Sequence, residues 1–200
     1  MIFTKAFCKN YLAVISLLIL TACSPSEILT QDASAQAGNK EISSKVDSTA
    51  AGELILTQEV IVHASLQSVW DAYTTEAGWA KWSTPLVAMD FRVGGEIKTN
   101  YNAEGTLGDE TTNTLFIRNY VPLKLLTLQA DIAPNWPEFM KEEADDLYNV
   151  ILFESLDEKK TRVISYGMGY KNNEKYLGLM DFFIQGNEFS YQQLKKALEN

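Results

Sequence analysis

Apolar and polar positions along this chain follow a strand period, then two short helical periods, then strand periods again, and last one long helical period. Leu54 to His63 (LILTQEVIVH) is rich in β-branched residues and predicts a strand. Ser65 follows as an N-cap for a helix over 66–73, where Val69, Trp70 and Tyr73 share one side by three-and-four spacing. A second short helix over 76–82 brings Trp79 and Trp82 onto one face, and Pro85 ends it. The period then becomes two. LVAMDFR (86–92) and EIKTNYN (96–102) flank Val93-Gly94-Gly95, whose glycines suit a tight hairpin; Val87, Met89 and Phe91 point one way, with Ile97, Thr99 and Tyr101 across from them. Further strands are expected over 111–120, 123–130, 148–155 and 161–170. Between them, DIAPNWPEFMKEEADDL (131–147) reads as a short helix or a rim loop. From 173 to 198, Leu177, Met180, Phe183, Ile184, Tyr191, Leu194 and Leu198 mark a long amphipathic helix, with Gly186 placed to kink it.

This order is an α+β plan: a meander of antiparallel strands, two short helices after the first strand, and one long terminal helix. A single helix laid across a curved sheet covers its apolar face incompletely, so a cavity between the two is expected. Three of the four tryptophans fall between residues 68 and 85. A formal charge of −9 argues against base stacking as their purpose, because nucleic-acid binding needs a basic face. The aromatic and methionine residues that the pattern offers as a ligand-binding lining are Trp79, Trp82, Met89, Phe91, Tyr101, Tyr166, Met168, Met180 and Phe183.

The N-terminal material differs from the rest. Lys5 and Lys9 flank a short basic start, and Tyr11 to Leu20 is an apolar run of about ten residues, where roughly 20 are needed to span a bilayer. Its ending, Leu20-Thr21-Ala22-Cys23, resembles a bacterial lipoprotein signal. That resemblance implies diacylglyceryl transfer to the Cys23 sulfur, cleavage before it, and acylation of the freed amine. The expected organisation is a signal peptide over 1–22, a lipidated N-terminus and flexible tether over 23–52, and a folded domain over 53–200. Residues 24–52 are rich in Ser, Ala, Thr and Gln, which supports a tether. The expected location is the cell envelope, with the outer membrane facing the periplasm favoured by Ser24 if the cell has two membranes. Cys8 is the other cysteine and lies in the signal, so the exported chain would rely on its core and not on disulfides.

Candidate chemistry is sparse. His63 is the only histidine, which excludes a multi-histidine metal site, and no G-x-S-x-G elbow is present. The acidic run Glu142, Glu143, Asp145 and Asp146 lacks the spacing of a calcium loop and reads as a solvated face. Asp90 and His63 are the two candidates for a catalytic base. Alternation sets Asp90 opposite to Met89 and Phe91, with Arg92 on its own face to neutralise it.

SVWDAYTTEAGWAKW followed by MDFRVGG resembles the SRPBCC superfamily of helix-grip, START-like proteins, in the branch named for homologues of the activator of the Hsp-type chaperone ATPase. The matching positions are Val69-Trp70, Trp82, Val93-Gly94-Gly95, and Leu194 with Leu198. The resemblance implies a seven-stranded antiparallel sheet wrapped around the last helix, enclosing a hydrophobic cavity for lipids, sterols or other small apolar molecules. It does not carry chaperone activation to an exported domain. The expected function is therefore a membrane-tethered binding protein for a small hydrophobic molecule, with no cofactor, metal or nucleic acid implied. A cavity enzyme of cyclase, dehydratase or hydrolase type, and a module that receives a peptide or partner helix, are the alternatives; the oligomeric state stays open.

Overall fold

The computed structural model describes residues 41–131 and 136–199. The expected signal peptide, Cys23 and the tether as far as residue 40 lie outside the described residues. Eight strands form a single antiparallel sheet in the order β1-β2-β8-β7-β6-β5-β4-β3. They are β1 (Ile42–Ser48), β2 (Glu53–Val62), β3 (Leu86–Met89), β4 (Glu96–Asn100), β5 (Asn113–Val121), β6 (Leu125–Asp131), β7 (Tyr148–Asp157) and β8 (Lys160–Lys171). The helices are α1 (Leu66–Thr74), α2 (Glu76–Trp79), α3 (Glu138–Glu142) and α4 (Glu174–Leu198).

The local signals in the sequence explain most of these boundaries. Ser65 sits in extended backbone and its side chain accepts the Ser68 N–H, which starts α1. Thr75 repeats the device for α2 by accepting the Gly78 N–H. Asn173 caps α4 by accepting the Tyr176 N–H at 3.1 Å. The expected hairpin register holds, with Val87 opposite Thr99 and Met89 opposite Ile97, and Gly94 turns the chain at φ +79°. α2 is one turn long, shorter than the helix expected over 76–82. Trp82 lies in the turns that follow, and its Nε1 donates to the Ala72 carbonyl at 2.9 Å.

β1 departs from the expectation of a tether running to residue 52. The segment has few apolar residues of its own, and a reading of its own burial capacity gives no order. Its stability comes from its neighbours: seven residues pair in register with β2, from Ile42 opposite Val60 to Ser48 opposite Leu54. This strand makes the sheet eight-stranded where the resemblance implied seven. The 131–147 segment contains α3 and a 3-10 turn at Ala144–Asp146.

Pleat alternation sends Leu54, Leu56, Gln58, Val60 and Val62 to the concave side of β2, and all five are buried. Two apolar clusters fill that side. One gathers Val60, Val62, Trp70, Tyr73, Phe153 and Leu194 with their neighbours; the other holds Leu54, Leu56, Met140, Leu147, Tyr176 and Met180. A polar band divides them. Ser44, Gln58 and Ser165 are successive cross-strand partners on β1, β2 and β8, and Ser165 Oγ donates to Asn149 Oδ1 on β7 at 2.6 Å. α4 meets the band with polar groups: Asn187 Nδ2 donates to Gln58 Oε1 at 2.7 Å and Ser44 Oγ donates to Glu188 Oε1 at 2.7 Å. Gln58 Nε2 donates to Ser44 Oγ at 2.9 Å, so its buried amide is satisfied at both ends. α4 is thus seated on β1 and β2 and also touches α1.

Candidate ligand-binding face

The concave face beside α1 and α2 is built from aromatic rings. Tyr73 lies 4.8 Å from Trp82, 5.1 Å from Phe153 and 6.2 Å from Trp79 between ring centroids, and Trp79 lies 5.4 Å from Trp82. Trp70 meets Phe153 edge-on at 5.2 Å and Phe91 at 6.2 Å. Such tilted and edge-on pairs contribute about 0.5–1.5 kcal/mol each beyond burial. The helical spacing of Trp70 and Tyr73 and the one-turn α2 bring these rings together, and the closeness of the two helices requires Gly78. A Cβ there would fall 2.2 Å from the Asp71 carbonyl oxygen. Away from the seat of α4, Val87, Met89, Phe91, Leu115 and Tyr120 on and beside β3 and β5 remain half-buried against this wall.

Of the residues expected to line one cavity, Trp79, Trp82, Met89 and Phe91 meet here. Met180 and Phe183 do not. They belong to the second cluster, across the polar band, where Phe183 stacks on Tyr170 at 5.5 Å and on Trp136 at 5.9 Å. Tyr166 and Met168 are on the opposite face of the sheet. Val163 and Ser165 point to the concave side, so Tyr166, paired with Thr57 and Val150, points to the convex side, and Met168 shares that parity. An irregularity in the β2–β8 register and Gly169 at φ +88° then bring Tyr170 back to the concave side. Met168 instead borders a pocket of ≈ 260 Å³ with Glu53, Asp146 and Tyr148. Tyr101 is 66% exposed, because β4 ends at Asn100. Asn100 turns inward there and its Nδ2 donates to Thr111 Oγ1 at 3.0 Å.

The two candidate bases also lie on the surface. Asp90 falls in the turn after β3 and pairs with Arg92 at 2.8 Å, with both side chains more than half exposed. His63 follows β2 and its Nε2 pairs with Glu41 at 2.7 Å. Neither faces the aromatic wall, so a cavity reaction using either as its base has no geometric support. The His63 bond, followed by that from Lys195, holds the Glu41 carboxyl down to about 2. Among the described residues, no three metal-ligating side chains come together.

Sequence reasoning missed the role of Tyr73 and Phe153 in this wall and missed the polar band. Tyr73 was visible as a helix-face residue; Phe153 requires the β7 register. Burial pushes the Tyr73 phenol well above its ordinary value, reinforced by the nearby Tyr191. The Tyr191 hydroxyl is itself pushed up to about 12 by burial. Both are neutral donors at ordinary pH. Among the described residues, Tyr73 Oη and Trp79 Nε1 are buried without a hydrogen-bond partner, whereas the neighbouring Trp82 indole is satisfied.

A curved antiparallel sheet, two short helices after an early strand, and a long C-terminal helix on the concave side together define a helix-grip protein. Residues 63–199 match the family described as Activator of Hsp90 ATPase homolog 1-like protein, and the chain belongs to that family. Similar solved structures include the Aha1 dimer from Colwellia psychrerythraea, with 21% identity over 72% of this chain and 96% of that one at a TM-score of 0.56. A protein from Nitrosomonas europaea is 21% identical over 76% of this chain and 96% of that one, at a TM-score of 0.54. A protein from Arthrobacter aurescens is 15% identical over 78% and 91%, at a TM-score of 0.55. These likenesses concern the fold. No curated protein is significantly similar to the chain.

Proposed function

We propose that this domain is an extracytoplasmic binding module, held at a membrane by acyl chains on Cys23, that carries a small apolar molecule against the concave face of its sheet. The observation that carries this reading is the half-buried row of Val87, Met89, Phe91, Leu115 and Tyr120, backed by buried aromatics and lying away from the seat of α4. An apolar guest placed there removes surface from water at roughly 25 cal/mol per Å² on each side of the contact. The resemblance of Leu20 to Cys23 to a lipoprotein signal supports the anchoring half of the proposal.

Tryptophan emission tests the binding half, since Trp79 and Trp82 stand in the wall. Titration with fatty acids, sterol-like compounds and small aromatics is expected to give a saturable change for at least one class. Emission indifferent to all three classes refutes the reading. Incorporation of labelled palmitate in the wild type, lost in Cys23→Ala, tests the anchor. A second reading, docking of a peptide or partner helix, is favoured by Phe182, which is 53% exposed on α4 beside Trp136. A partner that co-purifies from membranes with the wild type and not with Phe182→Ser would support it.

A further inference from the structure

A strand buried on one face alternates apolar and polar residues, whereas a strand covered on both faces is apolar at both parities. β7 and β8 are of the second kind. Ile151 and Phe153 of β7 face the concave interior, and the alternate residues Tyr148, Val150 and Leu152 face the other way. In β8, Val163 and Ser165 face inward while Ile164, Tyr166 and Met168 face out. Leu125 on β6 stands opposite Leu152, and Ile55 on β2 lies beside Tyr148 and Met168. None of these outward side chains belongs to either interior cluster. The buried apolar residues of α1, α2, α3 and α4 all lie in those clusters, so among the described residues no α-helix packs on the convex face.

Charged residues surround this apolar centre. Lys45 and Asp47 stand on β1 opposite Thr57 and Ile55, Arg118 leans over Phe116 on β5, and Glu154 pairs with Arg162 near the β7–β8 hairpin. An apolar centre within a charged rim is the anatomy of a protein interface. The strands from β1 to β5 along the sheet span about 24 Å, and four outward positions on β7 and β8 cover about 27 Å, giving a flat area of roughly 650 Å² before side-chain relief is counted. That approaches the roughly 800 Å² that each partner contributes to a standard interface.

We propose that the convex face receives a second copy of this chain, sheet against sheet, about a two-fold axis near Val150 and Tyr166. Two antiparallel sheets pack face to face through side chains of this kind, and a two-fold brings the same patch to both sides. The rim carries both signs, so each copy sets cations against the other's carboxylates, whereas a partner of one charge would meet like charge. The pairing leaves the concave face free in both copies and is independent of the guest and of the anchor.

Cross-linking of the full chain in intact cells tests this. Val150→Cys puts a thiol near the axis and Phe182→Cys puts one on α4; each is treated with a short bifunctional maleimide. Val150→Cys is expected to give a species of twice the chain mass above the wild-type level, and Phe182→Cys is not. Tyr166→Glu, added to Val150→Cys, sets two carboxylates against each other at the centre and should reduce that species at least about tenfold. Absence of the species, an equal yield from Phe182→Cys, or a yield that Tyr166→Glu leaves unchanged overturns the proposal. A product of any other mass assigns the face to a different protein and overturns it too. Tryptophan emission checks that Tyr166→Glu is folded, because Trp70, Trp79 and Trp82 lie on the concave side. If it is not, Thr57→Glu, the cross-strand neighbour of Tyr166, takes its place with the same expectation.

Discussion

The carboxylate of Glu143, just beyond α3, ties the 131–147 segment to the long helix, and removing one hydroxyl measures that tie. Tyr176 is fully buried at the first turn of α4, and its hydroxyl donates to Glu143 Oε2 at 2.9 Å. The other carboxylate oxygen pairs with Lys171 at 2.7 Å. In Tyr176→Phe the ring keeps its edge-on contact with Phe139 at 5.0 Å and its neighbour Tyr170 at 5.5 Å, so the change isolates the hydrogen bond. A hydrogen bond to a charged group contributes roughly 1.5–3 kcal/mol. The low end applies, because Glu143 reaches some solvent and retains Lys171. About 1.5 kcal/mol corresponds to about 3–6 °C in melting temperature for a domain of this size. The Lys171 bond first, with Tyr176 also contributing against burial, holds the Glu143 carboxyl below its ordinary value of 4.5. Its contribution is then fully present above that value and lost as pH falls through the depressed titration. Thermal unfolding of the wild type, Tyr176→Phe, Glu143→Gln and the double variant, followed from pH 7 downward, should show a coupling that shrinks in acid. Coupling near zero at pH 7, or a Tyr176→Phe deficit that acid leaves unchanged, would refute the reasoning.

Other outcomes follow from the same geometry. Gly169→Ala should lower stability by at least about 3 kcal/mol, since the residue sits at φ +88° and its Cβ would fall 1.8 Å from the Asp146 carbonyl oxygen; Gly186→Ala, in an open position on α4, should raise it by up to about 1 kcal/mol. Chemical denaturation of both variants checks this contrast. For Glu41→Gln, the melting deficit should be constant just above pH 4.5 and close as pH falls toward 2, because the native carboxyl is held down to about 2 against an ordinary 4.5; a gap unchanged between pH 5 and 2 contradicts this. Asp90→Asn breaks only an exposed pair with Arg92, so melting should stay within about 2 °C and tryptophan titrations should be unchanged.

What the sequence made legible were features written in adjacent residues. Ser65 before an apolar three-and-four pattern, paired glycines between two alternating runs, and the spacing from Met180 to Leu198 each specify an element through local chemistry, and each element is present. What it hid depends on neighbours distant in the chain. β1 is ordered by its pairing with β2 and by Ser44 reaching Gln58 and Glu188, none of which its own composition announces. The lining was misassigned where β8 reads VISYGMGY, a run with apolar residues at both parities, so only pairing with β2 and β7 decides that Val163 and Ser165 face inward. The local cue that was available is Gln58, an amide set between Leu56 and Val60 at an inward position of an otherwise apolar alternation. Asp90 and Arg92 lie past the end of β3, where strand alternation no longer applies, and they pair on the exposed surface.

The seam of amides and hydroxyls from Asn149 to Glu188 gives the interior two separately stabilised halves. Grease that is interrupted by directional bonds need not melt as one piece: the half next to α3 can open while the half holding Trp70, Trp79 and Trp82 stays closed. Backbone amides on opposite sides of Gln58 would then exchange with deuterium on two timescales, and the slower set would belong to the strands beneath α1.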